Sequence, residues 1–156
     1  MVKVRLTING KPREIDVESH WSLWYVLREK LGITSVKSMC EGEGACGSCT
    51  IILDDRPVLS CLTLAIDCDG KKIETLEGIV ASKHPIIDAY INHPTYQCGY
   101  CTPGFVVTAK ALLDKIPNPT IEDIIEALSG NICRCGTYPA HINAILEASE
   151  KLRRLK

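Results

Sequence analysis

Nine cysteines in 156 residues are the part of this sequence best equipped for chemistry. Eight of them fall in two groups. The first is Cys40-Glu-Gly-Glu-Gly-Ala-Cys46-Gly-Ser-Cys49, with Cys61 following on a later extended segment. The second is Cys98-Gly-Tyr-Cys101 with Cys133-Arg-Cys135, each pair beside an expected helix end. Four thiolates are what a [2Fe–2S] centre needs, two per iron, and plant-type sites use C-x4-C-x2-C plus a distant fourth cysteine. In the first group the first gap holds five residues, Glu41 to Ala45, in place of four. Gly42, Gly44 and Gly47 let such a loop wrap closely and aim backbone N–H groups at sulfides, whose negative charge needs donors. Buried core thiols are a poor account of three cysteines in a glycine-rich turn.

In the second group the helix ends matter. Helix N-termini present unpaired N–H groups and a positive dipole end, which favour thiolates and an anionic cluster. Zinc is the rival here, since sites built from four cysteines are common. Zinc ribbons generally pair two C-x2-C knuckles, whereas this chain offers one C-x2-C and one C-x-C. A thioredoxin-type redox pair at Cys98 and Cys101 would leave Cys133 and Cys135 unexplained. No c-type haem is expected, because Thr50 and Thr102 stand where that motif needs His. Cys68, the ninth, shares strand parity with Leu62, Leu64 and Ile66 and reads as a small buried hydrophobe. The histidines His20, His84, His93 and His141 are scattered, and none is assigned as a ligand. With no Ser/His/Asp set, phosphate loop or acid pair, no catalytic residue is assigned.

The elements that position these groups change character part-way along the chain. Val2, Val4, Leu6 and Ile8 alternate with polar residues, the period of a half-buried strand. Asn9-Gly10 supplies a hairpin turn into a second strand through Ile15 and Val17. Leu23, Val26, Leu27 and Leu31 recur at helical spacing, and Gly32 ends that helix. Beyond the cysteine loop come a strand at Thr50–Leu53, a turn at Asp54-Asp55, an extended run from Val58 to Cys68, and a last strand near Ile73. This order suggests a β-grasp arrangement. The period then switches to 3.6 near Glu77-Gly78, which divides the chain into residues 1–78 and 79–156. Four helices are expected in the second part. Pro85 opens one, and Thr102-Pro103 reads as an N-cap and first-turn proline for the next. Thr120 with Asp123 forms a capping box for the third, and Tyr138-Pro139 opens the last. Four short helices imply a bundle. The fold class expected is therefore α+β. The basic tail, Lys151 to Lys156, reads as a solvated helix end.

Bulk properties exclude some functions. A net charge of −1 argues against nucleic acid, whose phosphates demand a basic surface. No apolar run approaches the roughly 18–20 residues that span a bilayer. Met1-Val2-Lys3-Val4-Arg5 reads as a strand and not as a signal peptide, so a cytoplasmic location is expected. Thiols stay reduced there, which makes clustered cysteines ligands more often than disulfides.

The motifs Cys46-Gly-Ser-Cys49-Thr50, Pro57-Val-Leu-Ser-Cys61, Gln97-Cys-Gly-Tyr-Cys-Thr-Pro-Gly104 and Gly130-Asn-Ile-Cys-Arg-Cys135 together carry a family resemblance. The chain resembles the small iron–sulfur subunit of the molybdenum hydroxylases, the xanthine dehydrogenase family, over nearly its whole length. That resemblance implies a plant-type ferredoxin-like β-grasp domain followed by a four-helix bundle. It implies two [2Fe–2S] clusters, on Cys40, Cys46, Cys49 and Cys61 and on Cys98, Cys101, Cys133 and Cys135. The helical cluster is implied to lie nearest the molybdenum cofactor of a large subunit, with the other leading outward to an FAD subunit. Gln97 matches the family glutamine that hydrogen-bonds the pterin of that cofactor, and Cys135 the cluster ligand closest to it. A hetero-oligomer, as a dimer of heterotrimers, is implied too. Two departures stand out. The extra residue lengthens the loop between Cys40 and Cys46. After Cys135, the usual Thr-Gly-Tyr becomes Gly136-Thr137-Tyr138, similar to some bacterial aldehyde- and isoquinoline-oxidising relatives.

Overall fold

The computed structural model describes residues 1–155. Strands β1 (Val2–Ile8) and β2 (Lys11–Val17) pair as an antiparallel hairpin. Its turn places both Asn9 and Gly10 at positive φ, 50° and 77°, as the tight hairpin connection demands. Strands β3 (Thr50–Leu53), β4 (Arg56–Leu59) and β5 (Lys72–Glu74) complete a five-stranded sheet of order β2-β1-β5-β3-β4. β5 lies parallel to β1 and antiparallel to β3. The protein is thus a mixed α+β structure.

Side-chain alternation gives the sheet two buried faces. Val4, Leu6, Ile8, Val17, Ile51 and Ile73 pack against Leu23, Val26 and Leu27. Those last residues belong to α1 (Leu23–Tyr25) and the wider helical turn Val26–Lys30 that continues it. Ser22 caps this helix, its Oγ accepting from Tyr25 N–H. On the opposite face, Ile52 joins a second core built on Ile86, Phe105, Ile124 and Ile145. Burying Phe105 completely contributes about 1.5–3 kcal/mol relative to an exposed ring.

The helices are α2 (Leu76–Ala81), α3 (Pro85–Asn92), α4 (Thr102–Lys115), α5 (Ile121–Leu128) and α6 (Tyr138–Arg154). α3 lies along α6, and α4 contacts α5 while resting on β3. The capping box of α5 is formed, Thr120 and Asp123 each bonding the other's backbone N–H. Lys110 of α4 ties the helices to the sheet, 2.7 Å from both Glu74 and Asp114. Lys151, Arg153 and Arg154 form the basic last turn of α6, while Lys156 lies outside the described residues.

Local expectations give way at two places. The run from Val58 to Cys68 is not one extended segment. After β4 it bends through tight turns at Ser60–Leu62 and Ala65–Cys68. Ser60 drives the bend, since its hydroxyl and its N–H both bond the Cys49 carbonyl. Cys68 is buried, but strand parity is not the reason, because Leu62 and Leu64 are exposed. Thr102 is the first helical residue of α4 and not its cap. Cys101 occupies the cap position with helical φ, and no side chain bonds there. α2 went unannounced in the sequence, since six residues are too few for a helical period to declare itself.

Candidate metal centres

The first cysteine loop leaves α1, passes Gly32, and reaches β3 with little regular structure. Glu43 N–H bonds the Cys40 carbonyl, and Glu41 and Gly42 both take positive φ. The Cys40 and Cys46 thiols meet, and the Cys49 thiol meets that of Cys61. Burial raises the Cys46 thiol, but hydrogen bonds from the Ser48 side chain and backbone outweigh it, giving about 7. Cys61 goes the other way, pushed up to about 12 by burial and by its contact with Cys49. A cavity of about 620 Å³ lies beside this group, lined by Ser38, Glu41, Gly42, Cys61, Trp21 and Trp24.

The second group forms where two helix starts converge. Cys101 caps α4, and Cys133 and Cys135 lead into α6. Cys98 and Cys135 are 3.6 Å apart, sulfur to sulfur, and the Cys101 and Cys133 thiols are in hydrogen-bond contact. Burial and Cys133 push the Cys101 thiol up to about 12. For Cys133 burial is overcome by hydrogen bonds from the Thr137 side chain and backbone, which bring it down to about 7. Cys98, at the surface, is lowered by the Tyr100 N–H and by Cys135. Gln97 is also exposed, next to Cys98.

Eight cysteines therefore stand as two sets of four. Cys68 joins neither, its thiol meeting the Leu64 carbonyl at 3.4 Å within the sheet core. Each set offers two close sulfur pairs, which suits two iron ions with two thiolates each. Ser38 Oγ and Thr102 Oγ1 are buried without a hydrogen-bond partner. Each stands within two residues of a clustered cysteine, a deficit that the sulfide acceptors of a bound cluster fit.

The two loops also touch one another. The Cys46 carbonyl accepts from Ile132 N–H at 3.0 Å, one residue from Cys133. Asn131 Nδ2 donates to the Gly47 carbonyl at 3.2 Å and is itself held by Thr108. Tyr100, between Cys98 and Cys101, donates to the Ser38 carbonyl at 3.0 Å, with Lys37 over its ring. Among the described residues, His141 was not anticipated as a neighbour of the site. Its ring nitrogen lies within 4.8 Å of the Cys101 and Cys133 sulfurs, and burial lowers its pKa to about 4. The sole sequence signal was position, four residues beyond Thr137 on one helix face.

Two family models match, a 2Fe-2S iron-sulfur cluster binding domain over residues 6–71 and a [2Fe-2S] binding domain over residues 75–146. The nicotinate dehydrogenase small FeS subunit of Eubacterium barkeri is 46% identical over 139 residues, 88% of each chain. The chain belongs to the small iron–sulfur subunits of the molybdenum hydroxylase family. Another member, the nicotine 6-hydroxylase small subunit of Paenarthrobacter nicotinovorans, is 42% identical and matches 94% of this chain and 89% of that one. Among solved structures, quinoline 2-oxidoreductase from Pseudomonas putida 86 superposes with a TM-score of 0.91 at 41% identity, covering 98% of this chain and 96% of that one. The aldehyde oxidoreductase of Desulfovibrio desulfuricans gives 0.94 at 42% identity, matching all of this chain but 18% of that longer one. In that protein a small-subunit fold is one part of a much larger chain.

Proposed function

We propose that this chain is the electron-transfer subunit of a molybdenum hydroxylase or dehydrogenase. It relays single electrons between the molybdenum cofactor of a large subunit and an FAD subunit or other acceptor. Cys40, Cys46, Cys49 and Cys61 hold one [2Fe–2S] cluster, and Cys98, Cys101, Cys133 and Cys135 the other. The observation that carries the reading is the pair of four-cysteine sets joined by the hydrogen bond from Ile132 to Cys46. Bound there, each cluster supplies a centre that takes up and gives back one electron.

The chain's own residues do the rest. Cys46, Cys49, Cys101 and Cys133 are buried, which keeps water from those sulfurs. The N-terminal end of α4 brings unpaired N–H groups and a positive dipole to Cys101. Cys98 and Gln97 are exposed, so this edge is where we place the large subunit, with Gln97 as the contact to the pterin. The buried hydrogen bonds among Gly47, Asn131 and Thr108 hold the two ligand loops in fixed register. We assign the units to residues 1–78, a ferredoxin-like β-grasp domain, and 79–156, a four-helix bundle of α3 to α6. Among the described residues no helix is long and apolar enough to cross a membrane, and a cytoplasmic hetero-oligomer fits this role.

Anaerobic purification of the complex from its host tests the reading, with iron, molybdenum, flavin and zinc counted. About four irons per chain, two distinct EPR signals on stepwise reduction, and co-purifying molybdenum are expected. Cys49→Ser should remove one signal and Cys133→Ser the other. Zinc with no EPR signal from freshly isolated protein would sink the electron-transfer role. Iron without molybdenum would leave a free two-cluster ferredoxin instead.

A further inference from the structure

His141 is fully buried and stacks on Phe105, ring centroids 3.9 Å apart. Its two nitrogens reach in different directions. Nδ1 is 3.3 Å from the Tyr90 hydroxyl, and Nε2 is 3.1 Å from Thr137 Oγ1. Thr137 Oγ1 in turn lies 3.3 Å from Cys133 Sγ and 3.0 Å from the Thr95 carbonyl. The electron-transfer reading makes no use of this chain of groups.

A hydroxyl carries one proton and two lone pairs. While Cys133 is a thiol, every group is satisfied: Thr137 donates to the Thr95 carbonyl and accepts from the Cys133 S–H and the His141 N–H. A cysteine that ligates iron is a thiolate and has no proton to give. A Thr137 lone pair would then face an anionic sulfur at 3.3 Å. Turning the hydroxyl proton from the Thr95 carbonyl towards the sulfur gives up a neutral bond of 3.0 Å and makes a charge-assisted one, roughly twice as strong. The turned hydroxyl still accepts from His141, provided that the imidazole proton sits on Nε2. That tautomer leaves Nδ1 free to accept from the Tyr90 hydroxyl, 3.3 Å away.

We propose that Thr137 is a positioning residue for the helical cluster: its hydroxyl, oriented by His141 and Tyr90, donates to the Cys133 thiolate and raises that cluster's reduction potential. The proposal rests on Cys133 being an iron ligand. A donor to a ligand sulfur favours the reduced state, which carries the greater negative charge.

The test is a potentiometric titration of the intact complex, with each cluster followed by its own EPR signal. Thr137→Val keeps the shape and removes the donor. It should weaken reduction of the helical cluster on the order of tenfold, about 59 mV for one electron, with the other cluster unmoved. Thr137→Ser should keep the native value. Tyr90→Phe frees the tautomer and should give a smaller fall of the same sign. The proposal is overturned by an unmoved potential in Thr137→Val with both signals intact, or by Thr137→Ser falling as far as Thr137→Val. Should Thr137→Val lose its cluster, Tyr90→Phe decides, an unmoved potential again overturning it. Iron absent from the unaltered complex would strike the ligand assignment instead, a separate outcome.

Discussion

Replacing Gly104 with alanine tests the contact that sets the two cysteine loops against each other. Gly104 sits in the first turn of α4, and a Cβ there would lie 2.4 Å from the Gly47 carbonyl oxygen and 3.2 Å from Ser48 Cα. Ordinary contact begins at 3.4 Å, so the backbone must part by 3.4 − 2.4 = 1.0 Å. The Gly47 carbonyl cannot give way freely. It accepts from the Thr50 hydroxyl at 2.7 Å, from Thr50 N–H at 3.2 Å and from Asn131 at 3.2 Å. Overpacking costs about 1–3 kcal/mol, and each weakened bond up to about 1 kcal/mol more. Alanine returns about 1 kcal/mol in helix propensity. With about 2 kcal/mol of overpacking and about half of each of the three bonds lost, the net loss is about 2.5 kcal/mol, which for a chain of this size lowers Tm by on the order of 5–10 °C. Thermal unfolding of the cluster-loaded protein, followed by circular dichroism, measures it. Gly130→Ala is the control, because a Cβ there meets nothing within 4 Å; it should stay within about 0.5 kcal/mol of the parent. A Gly104→Ala protein as stable as the parent would refute the reasoning.

Two further outcomes follow from particular side chains. Cys68→Ala should leave the iron content at about four per chain, because that sulfur lies in the sheet core away from both sets; iron lost in this variant would show a ligand wrongly assigned. His84 Nδ1 accepts from Ile86 N–H at the start of α3, and burial pushes its imidazole below 6.5. The unfolded chain then takes up the proton more readily, so this stability is complete above about pH 6.5 and is lost as pH falls through the lower folded value. Urea midpoints at about pH 7.5 and about pH 5.5 should differ less in His84→Asn than in the parent, and equal differences would count against the role.

Much of this was legible in the residues because it depends on local chemistry. Asn9-Gly10, Thr120 with Asp123, and Pro139 each act within a few residues, and each forms the turn or helix start expected. The grouping of eight cysteines was legible because most of them are closely spaced in the chain, Cys40 to Cys49, Cys98 with Cys101 and Cys133 with Cys135. What escaped was set by distant partners. The bend after Leu59 depends on Ser60 reaching the Cys49 carbonyl, eleven residues back. The surroundings of His141 depend on α3 and α4 bringing Tyr90 and Phe105 to α6. Nothing near His141 in the chain announces either ring. The close approach of Gly104 to Gly47 was likewise invisible, since it joins residues in different parts of the molecule.

Ile51 and Ile52 are consecutive residues of β3, yet they belong to opposite cores. The strand is therefore a party wall: neither half of the molecule owns it, and neither can be demolished alone. If the helices come away, Ile52 is laid bare on the sheet; if the sheet dissolves, α4 loses the floor it rests on. Scanning calorimetry should accordingly show one endotherm and not two. One endotherm would mean that the chain has no half-dismantled form in which one redox site survives the collapse of the other. Inside a cell, a failing copy would then surrender all its iron in a single event.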